Sequence, residues 1–319
     1  MRVVSIPMRT RFRGITVREA VLLPGPAGWG EWSPFLEYPP EVAEPWLRCA
    51  EEAAAGTWPA PVRDRVPVNV TVPAVGPERA HEIVLAGGCA TAKVKVAEPG
   101  QGLAEEEARL EAVRDALDTL GPGGRIRVDA NGGWSVDDAV AAIGRLDRAA
   151  GGLEYVEQPV TSVEDLALVR RRVSVPVAAD ESIRRAEDPY RVRELDAADI
   201  AVLKVQPLGG VHACLEIAER IGLPVVVSSA LETSVGIAAG VALAAALPEL
   251  PYACGLATVQ LLTGDVVGES LLPVGGALPV VRPAVEEARL DALAATPDRV
   301  AHWEARLTQV RAVRKDQRP

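Results

Sequence analysis

From Val66 onward the chain repeats one unit: a short apolar run, a polar turn, then a stretch of helical period. The apolar runs fall at residues 68–72, 92–96, 126–129, 155–157, 177–179, 200–204, 225–227 and 252–255. Between them, as in 104–120, apolar residues such as Val113, Ala116, Leu117 and Leu120 recur among charged neighbours at the spacing of an amphipathic helix. Ser135 ahead of Val136-Asp137-Asp138 is a helix N-cap with acid in the first turn. Strands that alternate with single helices pair in parallel, through right-handed crossovers. Eight of them predict an α/β fold closed as a (β/α)8-type TIM barrel, in the modified (β/α)7β form. An open doubly wound sheet would carry a GxGxxG turn after its first strand, and none stands there.

The two ends break the pattern. Residues 1–65 offer antiparallel strands at 15–23 and 28–31, a helix at 41–55 and a Pro-rich linker at 58–67. The last 50 or so residues hold a Gly/Pro-rich strand region at 272–281 and two helices. The expected division is a capping α+β domain over 1–65, a barrel over 66–265, and a segment over 266–319 that completes both.

A net charge of −10 without a basic stripe argues against nucleic acid as a partner. The basic end (Arg311, Arg314, Lys315, Arg318) reads as a frayed tail. No membrane segment is expected, since the longest apolar stretch, 235–247, falls short of the roughly 20 residues a span needs. The N-terminus lacks a signal-peptide core. Cys49, Cys89, Cys214 and Cys254 are scattered without zinc-ligand spacing and read as buried small hydrophobes of a cytoplasmic protein. No obligate protein partner is evident.

Lysine is rare. Of 34 basic residues four are lysines, at 93, 95, 204 and 315, and the rest are arginine. Arginine replaces lysine at exposed sites but stays protonated where a base is needed. Lysines kept in the body of the chain are therefore candidates for proton transfer.

In such a barrel the C-terminal strand ends face the active site. Read in order they are Lys93-Val94-Lys95, Asp129-Ala130-Asn131, Glu157-Gln158-Pro159, Asp180-Glu181-Ser182 and Lys204, at spacings of 34, 28, 23 and 24 residues from Lys95 onward. Each spacing is about one strand–helix unit, so the side chains should converge from consecutive strands. Asp129, Glu157 and Asp180 would repel one another unless a cation sits among them. Hard oxygen donors favour Mg²⁺, with Mn²⁺ as a substitute, over Zn²⁺. Such a metal takes up a carboxylate substrate and stabilises the dianion left when its α-proton departs. Lys95 and Lys204 would reach that substrate from opposite sides, one as general base. Lys93, two residues from Lys95 on the same face, would lower the pKa of Lys95 by like charge.

These motifs, Lys-Val-Lys at 93–95, Asp-Ala-Asn-Gly-Gly-Trp at 129–134, Glu-Gln-Pro at 157–159, Ala-Asp-Glu-Ser at 179–182 and Leu-Lys at 203–204, resemble the enolase superfamily, in its muconate lactonising subgroup. The resemblance covers the whole barrel. It implies metal ligands Asp129, Glu157 and Asp180 and a catalytic pair Lys95 and Lys204; that superfamily is itself a standard example of a Lys or His base working beside Mg²⁺. A His–Asp base pair is not expected, because His81, His212 and His302 fall in predicted helices.

Within the subgroup the short chain and the run Ser228-Ser229-Ala230-Leu231-Glu232-Thr233-Ser234 look most like the o-succinylbenzoate synthase family. That resemblance implies a lyase of menaquinone biosynthesis, dehydrating a small cyclohexadiene carboxylate with a succinyl tail. N-succinylamino acid racemase and dipeptide epimerase are the alternatives, and a non-catalytic binding barrel is a distant third. Ser228 and Ser229 are expected at the succinyl carboxylate, and Arg127 at a metal ligand or a substrate oxygen. Gly209, beside Gly210, is expected to permit close backbone approach near Lys204. Asn131 and Glu181 complete the set of residues expected to contact the substrate or the ligands. Phe12, Trp32, Phe35 and Leu36 would form an apolar lid or the core of the cap.

Overall fold

The structure, a computed structural model, describes residues 1–185 and 188–316. The cap opens with β1 (Arg2–Phe12), β2 (Ile15–Gly25) and β3 (Gly28–Trp32), a three-stranded antiparallel sheet in the order β1-β2-β3. α1 (Pro40–Ala55) lies across it so closely that a Cβ on Gly30 would stand 1.8 Å from the carbonyl oxygen of Ala50. β1 was not expected from the sequence. Its inward residues Val4, Ile6 and Met8 alternate with Ser5 and Pro7 over only a few positions, and the exposed Arg9 and Arg11 that follow end the apolar signal.

The barrel follows: β4 (Arg65–Pro67), β5 (Val70–Val72), α2 (Pro77–Gly87), β6 (Thr91–Lys95), α3 (Leu103–Leu120), β7 (Arg125–Asp129), α4 (Val136–Ala149), β8 (Leu153–Glu157), α5 (Val163–Arg170), β9 (Val177–Ala179), α6 (Glu181–Arg184), α7 (Arg191–Glu194), β10 (Ile200–Lys204), α8 (Val205–Leu208), α9 (Val211–Ile221), β11 (Val225–Ser228) and α10 (Ser234–Ala246). Seven strands pair in parallel in the order β11-β10-β9-β8-β7-β6-β5. The eighth apolar run closes the ring by single parallel bridges, Cys254 to Val68 and Gly255 to Ser228. Its helix shrinks to one 3₁₀ turn, Thr258–Leu261. Ser135 caps α4 through the backbone N–H of Asp138, as its sequence context predicts.

The chain ends with β12 (Ala277–Pro279), which pairs antiparallel with β4, then α11 (Glu287–Ala292) and α12 (Pro297–Asp316). The cap core gathers Ile6, Leu22, Trp32, Trp46 and Leu47 from the N-terminal segment with Trp303, Leu307 and Val310 of α12. Trp32 and Trp303 meet edge to face at 5.4 Å between ring centres. The expected frayed end is therefore docked helix: Arg314 donates to Glu44 (2.8 Å) and to Glu51 (2.5 Å) on α1. The side chain of Lys315 and all of Arg318 lie outside the described residues.

The four cysteines are buried free thiols, and the three histidines stand in α2, α9 and α12, as expected. Among the described residues no helix is long and apolar enough to cross a membrane.

Candidate active site

The parallel register brings Lys95 level with Asp129, and Asp129 level with Glu157. Lys204 ends β10, four strands away from β6, which is half the circumference of an eight-stave ring. Lys95 and Lys204 thus enter the mouth from opposite sides. Both line the pocket between barrel and cap, together with Lys93, Asp129, Asn131, Arg184, Ser228 and Ser229.

Every strand-end carboxylate is fully buried, and a cation meets each one. Lys93 donates to Asp129 at 3.1 Å and to both oxygens of Glu157 at 3.0 and 3.1 Å. Lys95 donates to Asp129 at 2.6 Å and to the side-chain oxygen of Asn131 at 2.5 Å. Lys204 holds one oxygen of Asp180 at 2.5 Å, and Arg184 holds the other at 2.8 Å. Arg184 also donates to Glu181 at 2.5 Å, to which Asn131 adds an amide hydrogen bond at 3.2 Å.

Burial alone would raise all three carboxyls, and their neighbours decide the outcome. At Asp129 burial is outweighed by Lys95 and Lys93, which hold the carboxyl well below its ordinary range. At Asp180 burial is outweighed by Arg184 and Lys204, leaving it at about 2. At Glu157 burial and the nearby Asp129 prevail over Lys93 and push the carboxyl up to about 7. Lys93 is desolvated as well, but Glu157 and Asp129 raise it above its ordinary value and fix its charge. Its ammonium binds these carboxylates rather than standing as a bare cation beside Lys95.

Among the described residues, no three His, Cys, Asp or Glu side chains converge as a metal-holding group. The expected trio sits on adjacent strand ends, but ammonium and guanidinium groups stand where a shared cation would be. The donor chemistry still fits a hard divalent ion. It is all oxygen and fully buried, and Oε2 of Glu181 lies buried beside it with no hydrogen-bond partner.

Other expectations are corrected. Arg127 shares the inward face with Asp129 but lies two residues deeper, where it donates to Tyr155 (2.9 Å), the carbonyl of Ala253 (2.8 Å) and Glu154 (2.5 Å). It braces the barrel floor and touches no strand-end carboxylate. Gly209 faces the cap: a Cβ there would come within 3.0 Å of Arg48 on α1. Its neighbour Gly210 leaves room for Glu52, which accepts from the backbone N–H groups of Val211 (2.6 Å) and His212 (3.2 Å) at the start of α9. The four expected lid residues separate. Phe12 and Phe35 line the pocket, Trp32 is cap core, and Leu36 is exposed.

Two pocket cations were not expected from the sequence, Arg13 on the cap side and Arg184 on the barrel side. Both donate to the hydroxyl of Tyr38, at 2.9 and 3.3 Å. A signal for Arg13 existed in the Arg-Gly pair between two strands, which is hairpin-turn chemistry.

A parallel barrel under an antiparallel cap, with lysines opposed across buried strand-end carboxylates, defines a class, and comparison with known proteins agrees. The chain belongs to the enolase superfamily: the enolase N-terminal domain-like family matches residues 3–54 and the enolase C-terminal domain-like family residues 77–284. Enzymes of this superfamily generally use Mg²⁺. Curated relatives carry the name o-succinylbenzoate synthase, and two of them illustrate the match. That of Thermobifida fusca is 66% identical over 98% of this chain and 96% of its own. That of Mycolicibacterium smegmatis is 58% identical over 95% and 92%. In solved structures, muconate lactonizing enzyme from Pseudomonas fluorescens, complexed with muconolactone, shares the fold at a TM-score of 0.78 and 20% identity, over 92% of this chain and 97% of that one.

Proposed function

We propose that this chain carries out the o-succinylbenzoate synthase reaction, the Mg²⁺-dependent syn dehydration of 2-succinyl-6-hydroxy-2,4-cyclohexadiene-1-carboxylate to 2-succinylbenzoate, in cytoplasmic menaquinone biosynthesis. The observation that carries the reading is the 66% identity, over nearly the whole chain, with the Thermobifida fusca protein of that name. The opposed lysines at the barrel mouth support it independently.

In this mechanism Lys95 takes the proton next to the ring carboxylate and returns it to the departing hydroxide, so one group serves both halves of a syn elimination. Asn131, 2.5 Å from its ammonium nitrogen, orients it. Lys204, on the far side of the ring and fixed by Asp180, places its positive charge against the ring face as negative charge builds there. Asp129, Glu157 and Asp180 would hold the metal, and Mg²⁺, when bound, supplies charge that stabilises the deprotonated substrate carboxylate. Phe12 and Phe35 shield the cap side of the pocket from water.

The purified protein offered the cyclohexadiene substrate with Mg²⁺ should form 2-succinylbenzoate, and Lys95→Arg should abolish turnover, because arginine cannot act as the base. Racemisation of an N-succinylamino acid without any dehydration would overturn the assignment, and full activity of Lys95→Arg would overturn the role of Lys95.

A further inference from the structure

We propose that Arg13, at the tip of the first cap hairpin, binds the distal carboxylate of the substrate's succinyl tail and so sets specificity for a doubly anionic substrate. The proposal rests on the dehydratase reading above, whose substrate carries one carboxylate on the ring and one on the tail.

Five cationic side chains line the pocket. Lys93, Lys95, Lys204 and Arg184 are each tied to a buried strand-end carboxylate at 3.1 Å or less. Arg13 is not. Its nearest carboxylate is Glu37, at 3.3 Å, and that side chain is 61% exposed. An ion pair with so exposed a partner is weak and readily exchanged. The guanidinium lies over Phe35, its central carbon 3.6 Å from the ring centre, and donates to the hydroxyl of Tyr38 at 2.9 Å. The aromatic contact and one hydrogen bond hold the guanidinium in place and still leave donors for an incoming carboxylate.

The backbone adds an independent observation. Phe12 pairs with Ile15, so Arg13 and Gly14 form a two-residue turn, at φ 49° and 77°. A turn with both central residues left-handed suits Asn-Gly and is strained for arginine. An unfavoured residue at a pocket rim marks a place where the side chain outweighs the local preference.

The serines that follow β11 are the rival anchor. Ser229 is already engaged, its backbone N–H and hydroxyl both donating to the carbonyl of Gly255 at 3.1 and 2.8 Å. Ser228 can offer a hydroxyl but no charge.

The test compares wild type, Arg13→Met and Arg13→Lys on two substrates: the natural diacid and an analogue whose tail carboxylate is a carboxamide. With the diacid, Arg13→Met should raise KM by about 10–100-fold at little cost in kcat, the loss expected for a hydrogen-bonded charge. Arg13→Lys should recover part of it. With the carboxamide, wild type and Arg13→Met should agree within about twofold, since no charge remains to be bound. An equal loss on both substrates, or none on either, would overturn the assignment while leaving the dehydratase reading intact. Wild-type protein that turns over neither substrate would overturn both.

Discussion

Lys93 is straddled by Glu157: its ammonium nitrogen lies 3.0 Å from one carboxylate oxygen and 3.1 Å from the other, with both side chains buried. The same nitrogen reaches Asp129 at 3.1 Å, so one cation separates two carboxylates that burial would otherwise set against each other. Strand geometry makes this possible, since Lys93 and Lys95 share a face and take the lower and upper layers of the same mouth.

Removing Lys93 should therefore be costly. Lys93→Met leaves Asp129 and Glu157 facing each other without their shared counter-ion, and breaking a buried ion pair from one side costs about 3–5 kcal/mol. Urea unfolding of the metal-free protein at pH 7 measures the loss. Saturating Mg²⁺ should restore part of it, because a divalent cation replaces the missing charge. A deficit below about 1 kcal/mol would mean that the pair does not hold the mouth together.

A second buried carboxyl lies on the seam between cap and barrel. Glu232 accepts from the backbone N–H of Ala230 at 2.7 Å, with Glu31 and Arg18 nearby, and burial and Glu31 push it up from 4.5 to about 7. A carboxyl raised in the folded state favours folding below its unfolded pKa and loses that contribution as pH climbs through the folded value. Between pH 5 and pH 8 wild type should lose about 2–3 kcal/mol that Glu232→Gln does not lose. Urea melts of the two proteins at both pH values check this, and parallel losses would show that Glu232 is ionised in the folded protein.

The barrel side of the site was legible because a strand–helix repeat of known length fixes which residues share a level. Lys95, Asp129, Glu157, Asp180 and Lys204 follow from counting. What counting could not give is what each side chain meets. Gly209 advertises a close approach, yet only the docked cap shows that α1 and its Arg48 are what approach. Arg127 has the right face and the wrong depth. Arg184 depends on α6, a four-residue helix too short to leave a periodic signal. The Arg-Gly pair marks Arg13 as a turn residue, but only the docking of the cap over the barrel shows that this turn stands at the pocket.

Gly30 tests how tightly the cap is assembled. A Cβ at this position would lie 1.8 Å from the carbonyl oxygen and 2.7 Å from the carbonyl carbon of Ala50, both backbone atoms of α1 that cannot swing aside. Gly30→Ala should force α1 off β3 and cost about 1–3 kcal/mol or more. Thermal unfolding followed by tryptophan fluorescence would show this, since Trp32 and Trp46 both lie in that core. A melting temperature equal to wild type would contradict the close packing.

The carboxylates that would hold the metal make the last prediction. Arg184 and Lys204 share Asp180, and Lys93 and Lys95 share Asp129, so binding a divalent cation must exchange these contacts for metal contacts. Ligand that binds only the folded state stabilises it by about 2.7 kcal/mol at a hundred times its Kd. Mg²⁺ should therefore raise the melting temperature of wild type in a concentration-dependent way. Asp129→Asn, Glu157→Gln and Asp180→Asn each keep the shape of the side chain and remove its charge, and each should weaken Mg²⁺ by about 100-fold or more, as seen by calorimetric titration. Arg127→Met serves as the contrast. It sits on the barrel floor away from all three carboxylates, so it should lower stability through its lost bonds to Tyr155 and Glu154 while leaving Mg²⁺ affinity within about threefold of wild type. Mg²⁺ binding that survives all three carboxylate substitutions would place the metal elsewhere.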